Sequence, residues 1–326
     1  MGNCCGYLSN YCNFTRDVVY NASNASNASN ASNVSNISGL VFKPINKNIQ
    51  QFAIKFPNGL NYIKYNNDLK CFEKSENINI WLSSLYSKRG WTNWVIYNDD
   101  SSKIGDNHHR KGHCKGIITW NENNISWLCH SVPNFPRNFD GNSISEIEHG
   151  ELVYGQSFQY IEILFDKNLL YNILGQLHIM NAHVYIEKYE LHDMSFSNMI
   201  FRNCNSINTI ILYDNVIHVA KSPHYEIDIY SDYIVVEHPF KWYVKTWIRG
   251  HHIEKLNENI IDIKSISFQD VQFTESHDHS KWAVSDNTFY WVGDLNRMTS
   301  QYKRGGGGFI INNNDIRLAL SKLICN

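Results

Sequence analysis

Nine short runs rich in β-branched and aromatic side chains restrict this chain to a sheet-dominated fold. They are FAIKF (52–56), WVIYND (94–99), GIITW (116–120), ISWLCHS (125–131), FQYIEILF (158–165), TIILYD (209–214), WYVKTWI (242–248), IKSISFQ (263–269) and FYWVGDL (289–295). Each has the length and composition of a strand. Only KNLLYNILGQLHIM (167–180) and NDIRLALSKLI (314–324) space their apolar residues near 3.6 and read as helices. YEIDIYSDYIVV (225–236) is ambiguous between the two. The expected fold class is α/β in the α+β sense, with mixed sheets. At 326 residues and 43% hydrophobic content the chain can bury one large core or two modest ones. No stretch approaches the roughly 18 apolar residues of a membrane-spanning helix.

The first 38 residues break the pattern. NASNASNASNASNVSNIS (21–38) repeats small polar residues with period three and has nothing to bury. Residues 1–38 therefore read as a disordered low-complexity tail ahead of a 39–326 domain. The repeat is a row of N-x-Ser sequons, and Asn13 and Asn124 head two more. The tail shows no apolar core of a signal peptide. MGNCCG instead offers Gly2 for myristoylation and Cys4 and Cys5 for palmitoylation, a route to membrane attachment, although Gly6 stands where such signals usually carry Ser or Thr. Acylation belongs to the cytosolic face and glycans to the lumenal one, so acylated, glycosylated and inert tails all stay open. The eight cysteines are scattered without a C-x-x-C pair, which excludes a zinc ribbon or a dithiol redox motif.

Lys and Arg (29) nearly balance Asp and Glu (31), unlike a constitutively basic nucleic-acid binder. Histidine alters that balance in acid: protonating all 15 would carry the formal charge from −2 to +13. A polyanion would then be held better at low pH than at neutral pH.

Two His-x-Lys pairs, His113/Lys115 and His279/Lys281, lie 166 residues apart, each at the edge of a predicted strand. In extended backbone, positions i and i+2 share a face, so each pair projects together. One pair in each half points to two lobes, about 39–172 and 173–326, facing a shared site. Two imidazoles and two ammonium groups suit a phosphodiester. The lysines neutralise charge that builds on the phosphoryl oxygens, one neutral histidine attacks phosphorus, and the other, protonated, supplies the leaving oxygen's proton. That chemistry asks for no metal or other cofactor. The plain alternative is a pair of solvated strand ends.

The surroundings of these pairs resemble the deoxyribonuclease II family. The matching blocks are GHCKGIITW (112–120), WLCHSVPNFP (127–136), YGQSF (154–158), AKSPHYEIDIY (220–230), DHSKWAVS (278–285), VGDLNR (292–297) and RGGGG (304–308), all in family order over about residues 40–326. The resemblance implies a phospholipase D-like fold, a pseudo-dimer around a central site, and a metal-independent endonuclease of acidic compartments that cuts DNA to 3′-phosphate ends. It places His113, Lys115, His279 and Lys281 on the catalytic pairs, with His279 the usual candidate nucleophile. His130 falls on a further histidine needed for activity, and Asn296 on a polar position near the phosphate. DNA is the implied partner, and no obligate protein partner is implied. The chain departs from the family at Ala283 and at Phe309-Ile310-Ile311, where cysteines are usual, so at least one family disulfide is missing. Family members are lysosomal or secreted. The lost cysteines and the absent signal point instead to a reducing cytosol, with or without a membrane anchor.

Other candidates are weaker. Asp286 completes a His-x-Lys-x4-Asp signature for one pair only. Arg110 and Lys111 would suit phosphates flanking the cut, or a solvated loop. Adjacent histidines at 108–109 and 251–252, and His277 with His279, invite zinc but lack a completing ligand set. Gly305, Gly306, Gly307 and Gly308 read as a mobile turn, or as backbone able to approach a phosphate. Trp120, Trp127 and Trp247 read as core. Two rival functions remain: a phospholipase D-type phosphodiesterase, and a non-catalytic DNA-binding member of the family.

Overall fold

The computed structural model describes residues 48–100, 111–189, 206–248 and 257–325. The tail, with Gly2, Cys4, Cys5, Asn13 and the repeat, lies outside the described residues, as do Arg110 and the histidine pairs at 108–109 and 251–252. The architecture is mixed α/β, with three sheets and few helices.

The first sheet has eight strands: β1 (Ile49–Lys55), β2 (Tyr62–Asn66), β3 (Cys71–Ser75), β4 (Asn93–Asn98), β5 (Lys115–Trp120), β6 (Asn124–His130), β7 (Gln156–Leu164) and β8 (Val184–Lys188). Their order is β3-β2-β1-β7-β6-β5-β4-β8, antiparallel throughout. The second holds β9 (Ile207–Tyr213), β10 (Val216–Lys221), β11 (Trp242–Lys245), β12 (Ile260–Asp262), β15 (Trp282–Ser285), β16 (Phe289–Gly293) and β17 (Gly306–Asn312). Its order is β12-β11-β15-β16-β17-β10-β9, with only β11–β12 parallel. A small third sheet joins β14 (Val271–Thr274), β13 (Ser265–Phe268) and β18 (Ile324–Cys325).

Alternation along the strands sorts the apolar side chains into layers. Val95 and Tyr97 of β4, Ile118 and Trp120 of β5, and Trp127 and Cys129 of β6 face a central core. Trp282 and Val284 of β15, Tyr290 and Val292 of β16, and Phe309 and Ile311 of β17 enter the same core from the second sheet. Two helices fill it further, α2 (Lys167–Ile179) and α4 (Asn314–Ser321), each started by a side-chain N-cap, Asp166 and Asn313. The intervening strand positions, such as Ile96, Ile117 and Leu128, face an outer layer covered by α1 (Ile78–Ser84). Trp291 and Ile310 do the same on the second sheet, under Tyr230, Ile234 and Val235, where a π-helical turn leads into α3 (Val235–Glu237). Because both faces of each large sheet are covered, its central strands read as near-continuous apolar runs.

Several sequence expectations shift here. The segment 225–236 is a turn followed by helix, since its apolar residues cap the second sheet from outside. The run 242–248 is a strand only to Lys245, and Thr246, Trp247 and Ile248 leave the sheet. Gly306, Gly307 and Gly308 are strand β17, not a mobile turn, because the Leu295 and Trp291 side chains and neighbouring backbone pack where their own side chains would stand. Trp120 and Trp127 are core, as expected, but Trp247 is absent from the apolar clusters. Asn124 is 8% exposed and opens β6, with the Ser126 hydroxyl held against Thr119, so this sequon is closed to modification in the folded protein.

Candidate active site

The end of α2 is the base on which the first His-x-Lys pair is set. Asn181 takes a left-handed conformation (φ 53°) that stops the helix, and its carbonyl accepts the Gly112 N–H at 2.8 Å. Gly112 and Gly305 both pass so close to the Met180 carbonyl that a Cβ on either would overlap it. This close passage brings a segment of the second sheet against His113, whose backbone N–H donates to the Gly305 carbonyl at 2.8 Å. The second pair is held in mirror fashion. His279 donates its backbone N–H to the Gly155 carbonyl of the first-sheet side at 2.9 Å, and Gly155 in turn donates to His277 O. Lys281 N–H donates to the Ser157 hydroxyl at 3.1 Å.

One cleft is lined by His113, Lys115, His130, His279, Lys281 and Asp294. Five of the sequence-predicted residues thus meet, from both sheets. The His113 Nδ1–H faces the Asp294 backbone carbonyl at 2.8 Å, which leaves Nε2 with its lone pair free. In His130 the roles reverse: Nδ1 accepts the Val132 N–H at 3.2 Å, so Nε2 carries the proton, and that buried nitrogen has no hydrogen-bond partner. Burial pulls both imidazoles down to about 3. For His113 the cations Lys115, Lys281 and Arg304 act in the same direction and Asp99 opposes them. His279 is clasped between rings, with Tyr154 stacked at 4.1 Å and 12° and Trp247 at 4.2 Å and 52°.

The two lysines sit in unlike fields. Lys115 pairs with buried Asp99 and lies 3.2 Å from Asp100, and against its burial these carboxylates hold it above the usual ammonium value. Asp99 also takes Arg304 at 2.7 Å, and despite its own burial these charges hold it well below the usual carboxylate range. Lys281 donates to the His279 carbonyl at 2.7 Å and forms no ion pair among the described residues. Burial, and then repulsion from Lys115, pull it down to about 7. Burial likewise raises Asp294 to about 7, against the Gly307 N–H and Cys129 thiol that donate to it. Behind the second pair, Lys245 and Asp278 make an ion pair at 3.2 Å with both side chains fully buried.

Asn296 stands one step back from the cleft, where its Oδ1 accepts the Trp247 N–H at 3.1 Å and its side chain is 4% exposed. Lys111 is half-buried and borders a separate cavity with His178, His183 and Glu187. Asp286 lies at the far end of β15, where it accepts the Lys241 N–H. The described residues hold no group of three His, Cys, Asp or Glu placed to grip a metal ion. Cys71, Cys114, Cys129 and Cys325 are free thiols. Sequence reasoning missed Tyr154, Asp99, Asp294, Arg304 and the Lys245–Asp278 pair. Tyr154, Asp278, Asp294 and Arg304 stood inside family-like blocks, but nothing local revealed their contacts.

Comparison with known proteins decides the family. The deoxyribonuclease II family model matches residues 58–326. The chain belongs to the deoxyribonuclease II family. Membership makes it a hydrolytic endonuclease by class. It is 30% identical over 268 residues to deoxyribonuclease-2-beta of Mus musculus, covering 74% of this chain and 73% of the mouse protein. Cell-death-related nuclease 7 of Caenorhabditis elegans is 28% identical over 265 residues, covering 72% of this chain and 68% of the nematode protein. The putative deoxyribonuclease-2 of Burkholderia pseudomallei is 26% identical over 300 residues, covering 81% and 83%. The cleft of the present chain carries both pairs, His113/Lys115 and His279/Lys281.

Proposed function

We propose that this deoxyribonuclease II family member is an acid-active endodeoxyribonuclease that cleaves DNA without a metal ion and leaves 3′-phosphate ends. The observation that carries the reading is the meeting of His113, Lys115, His130, His279 and Lys281 in one cleft between two sheets. A phosphodiester entering it would meet the Lys281 ammonium, which no carboxylate neutralises by contact, and the proton on His130 Nε2. Both donors bear on charge that accumulates in the transition state. In mild acid Lys281 is protonated and the phosphate-binding charge is complete, which accounts for an acid preference.

In the proposed reaction a histidine attacks phosphorus and expels the 5′-oxygen, which takes a proton from the second histidine. The 3′-phosphoryl group stays on the first histidine until water, deprotonated by the second, releases it. His113 has the attributes of the nucleophile: a bare Nε2 fixed by the Asp294 carbonyl, and burial that keeps the ring neutral in acid. His279, between two aromatic faces, suits the proton donor, because an imidazolium is attracted to such faces. The family resemblance assigns attack to His279 instead. Trapping the phosphoenzyme by an alkaline quench, in which a phosphohistidine persists, separates them, and phosphate on residue 279 would reverse the assignment.

The phospholipase D-like pseudo-dimer, with lobes of about 39–172 and 173–326, is part of the same proposal. Strand order supports it. The series β1-β7-β6-β5-β4 in the first sheet matches β10-β17-β16-β15-β11 in the second, while the strand outside it follows β1 in the first sheet and precedes β10 in the second. In this pairing each His-x-Lys opens the corresponding strand, β5 or β15, and a core helix follows β7 or β17. β8, from the second half of the chain, edges the first sheet.

The deciding experiment is plasmid cleavage at about pH 5 and about pH 7.5, each with excess EDTA, for wild type, His113→Ala and His279→Ala. Acid cleavage that survives EDTA and vanishes in both variants is expected. Full activity in either variant would sink the mechanism. Release of choline from a phospholipid without plasmid cleavage would move the same residues to a lipid substrate.

A further inference from the structure

Two lysines outside the cleft are wholly buried and have only carbonyl oxygens as hydrogen-bond acceptors. Lys55 ends β1, and its ammonium donates to Phe56 O at 2.8 Å, Gly59 O at 3.0 Å and Leu152 O at 3.0 Å. Lys221 ends β10, and donates to Arg304 O at 2.7 Å, Tyr302 O at 2.8 Å, Tyr225 O at 3.2 Å and Ser222 O at 3.4 Å. Neither contacts a carboxylate; the nearest charges are Asp278 and Glu151 for Lys55, and Asp228 and Glu226 for Lys221. An apolar side chain would hold such a position at less cost than a buried ammonium. What a lysine adds there is geometry, since one nitrogen draws several carbonyls from separate loops to a single point.

The two sites correspond. Lys55 lies opposite Gln156 and Lys221 opposite Gly306, each one residue past a glycine whose carbonyl seats a cleft histidine. Both lysines are followed by x-Pro, as Lys55-Phe56-Pro57 and Lys221-Ser222-Pro223. Each works across the sheets. Lys221, of the second sheet, holds Arg304, which precedes the Gly305 carbonyl that receives His113 and whose side chain grips Asp99. Lys55, of the first sheet, holds Leu152, just ahead of Tyr154, which stacks on His279, and of the Gly155 carbonyl that receives its N–H.

We propose that Lys55 and Lys221 are paired positioning residues, Lys221 setting His113 and Lys55 setting His279 through the loops they clamp. The inference rests on the reading of these histidines as the reacting pair. Burial pulls both lysines down to about 8, so both stay charged where the enzyme is proposed to act. Among the described residues, the groups that face His113 include Asp99, Asp294, Lys115, Lys281 and Arg304, and those that face His279 include Tyr154, Trp247 and Lys281. A clamp-lysine variant replaces none of these side chains and acts on them only through the loops that carry Arg304 and Tyr154.

The test uses the full chain labelled with ¹⁵N in its histidine rings, with signals assigned through His113→Ala and His279→Ala. Lys221→Met is expected to displace the His113 ring signals and leave those of His279 in place, and Lys55→Met to do the reverse. On DNA, kcat should fall by roughly 10- to 100-fold in each, the effect of a small misplacement of a reacting group, with KM changed less than about threefold. Lys55→Gln and Lys221→Gln retain two N–H donors and should restore part of kcat. They carry the same ring readout where a methionine variant does not fold. Displacement of both rings, or of neither, in the two single variants would reduce the lysines to general stabilisers and overturn the proposal. Because the ring signals need no turnover, selective displacement in a protein inactive on DNA would refute the reaction and leave the clamps standing.

Discussion

The Lys245–Asp278 pair offers the sharpest energetic test of how the second histidine is held. Both side chains are fully buried, 3.2 Å apart, and Asp278 immediately precedes His279. At an effective dielectric of about 20 their attraction is about 5 kcal/mol. Asp278→Asn keeps an oxygen for the Ser280 N–H, which Asp278 accepts at 2.9 Å, but leaves the Lys245 ammonium without its counter-charge. Breaking a buried pair from one side costs about 3–5 kcal/mol. For a domain of this size that lowers Tm by roughly 6–20 °C. Lys245→Met should cost a similar amount. The double variant removes both charges and should recover most of the loss, giving a coupling above about 2 kcal/mol in urea-unfolding cycles. A loss below about 1 kcal/mol for Asp278→Asn, or additive single effects, would refute the claim that this charge pair fixes the segment.

Further outcomes follow from the same geometry. Asp294 is raised to about 7 by burial, so between about pH 4 and pH 7 the folded state keeps a proton that the unfolded chain has released, and rising pH lowers stability across that window. Asp294→Asn has no charge to bury. Its stability relative to wild type should therefore climb by up to about 4 kcal/mol from pH 4 to pH 7.5 in urea titrations, and a flat difference would contradict the shift. His113, His130 and His218, buried and pulled to about 3, act oppositely: the unfolded chain gains their protons first, so stability should fall as pH drops below about 6.5. His218→Gln, read by the same titration, should soften that acid limb without touching the cleft. Gly305→Ala forces the Met180 carbonyl away from its place beneath the cleft and should abolish most plasmid cleavage while the far-UV spectrum stays native. Tyr154→Leu removes the stacked face from His279 and should lower kcat about 10-fold, measured on DNA at saturating concentration.

Much of this site was legible in the chain itself. The nine apolar runs all contain strands, because each is locally long enough and β-rich enough to declare itself. The two His-x-Lys pairs announced the cleft because same-face projection is a property of the extended backbone alone. What stayed hidden depends on partners distant in sequence. Asp99 and Arg304 are 205 positions apart, and no local period reveals that they share a hydrogen bond. Lys55, Lys221 and Lys245 look like surface lysines in any composition count, yet all three are fully buried. The four glycines at 305–308 resembled a flexible turn for the same reason: the close backbone packing that requires them comes from α2 and from the second sheet.

The crossed seating of the histidines also bears on when activity can first appear. Strand β17 is the last of both large sheets to be made, and the Gly305 carbonyl just ahead of it receives His113 from 192 positions upstream. Contacts of such long range close late in folding. On the proposed reading, a chain that has made only its first-sheet strands presents one His-x-Lys pair and lacks the other half of the cleft.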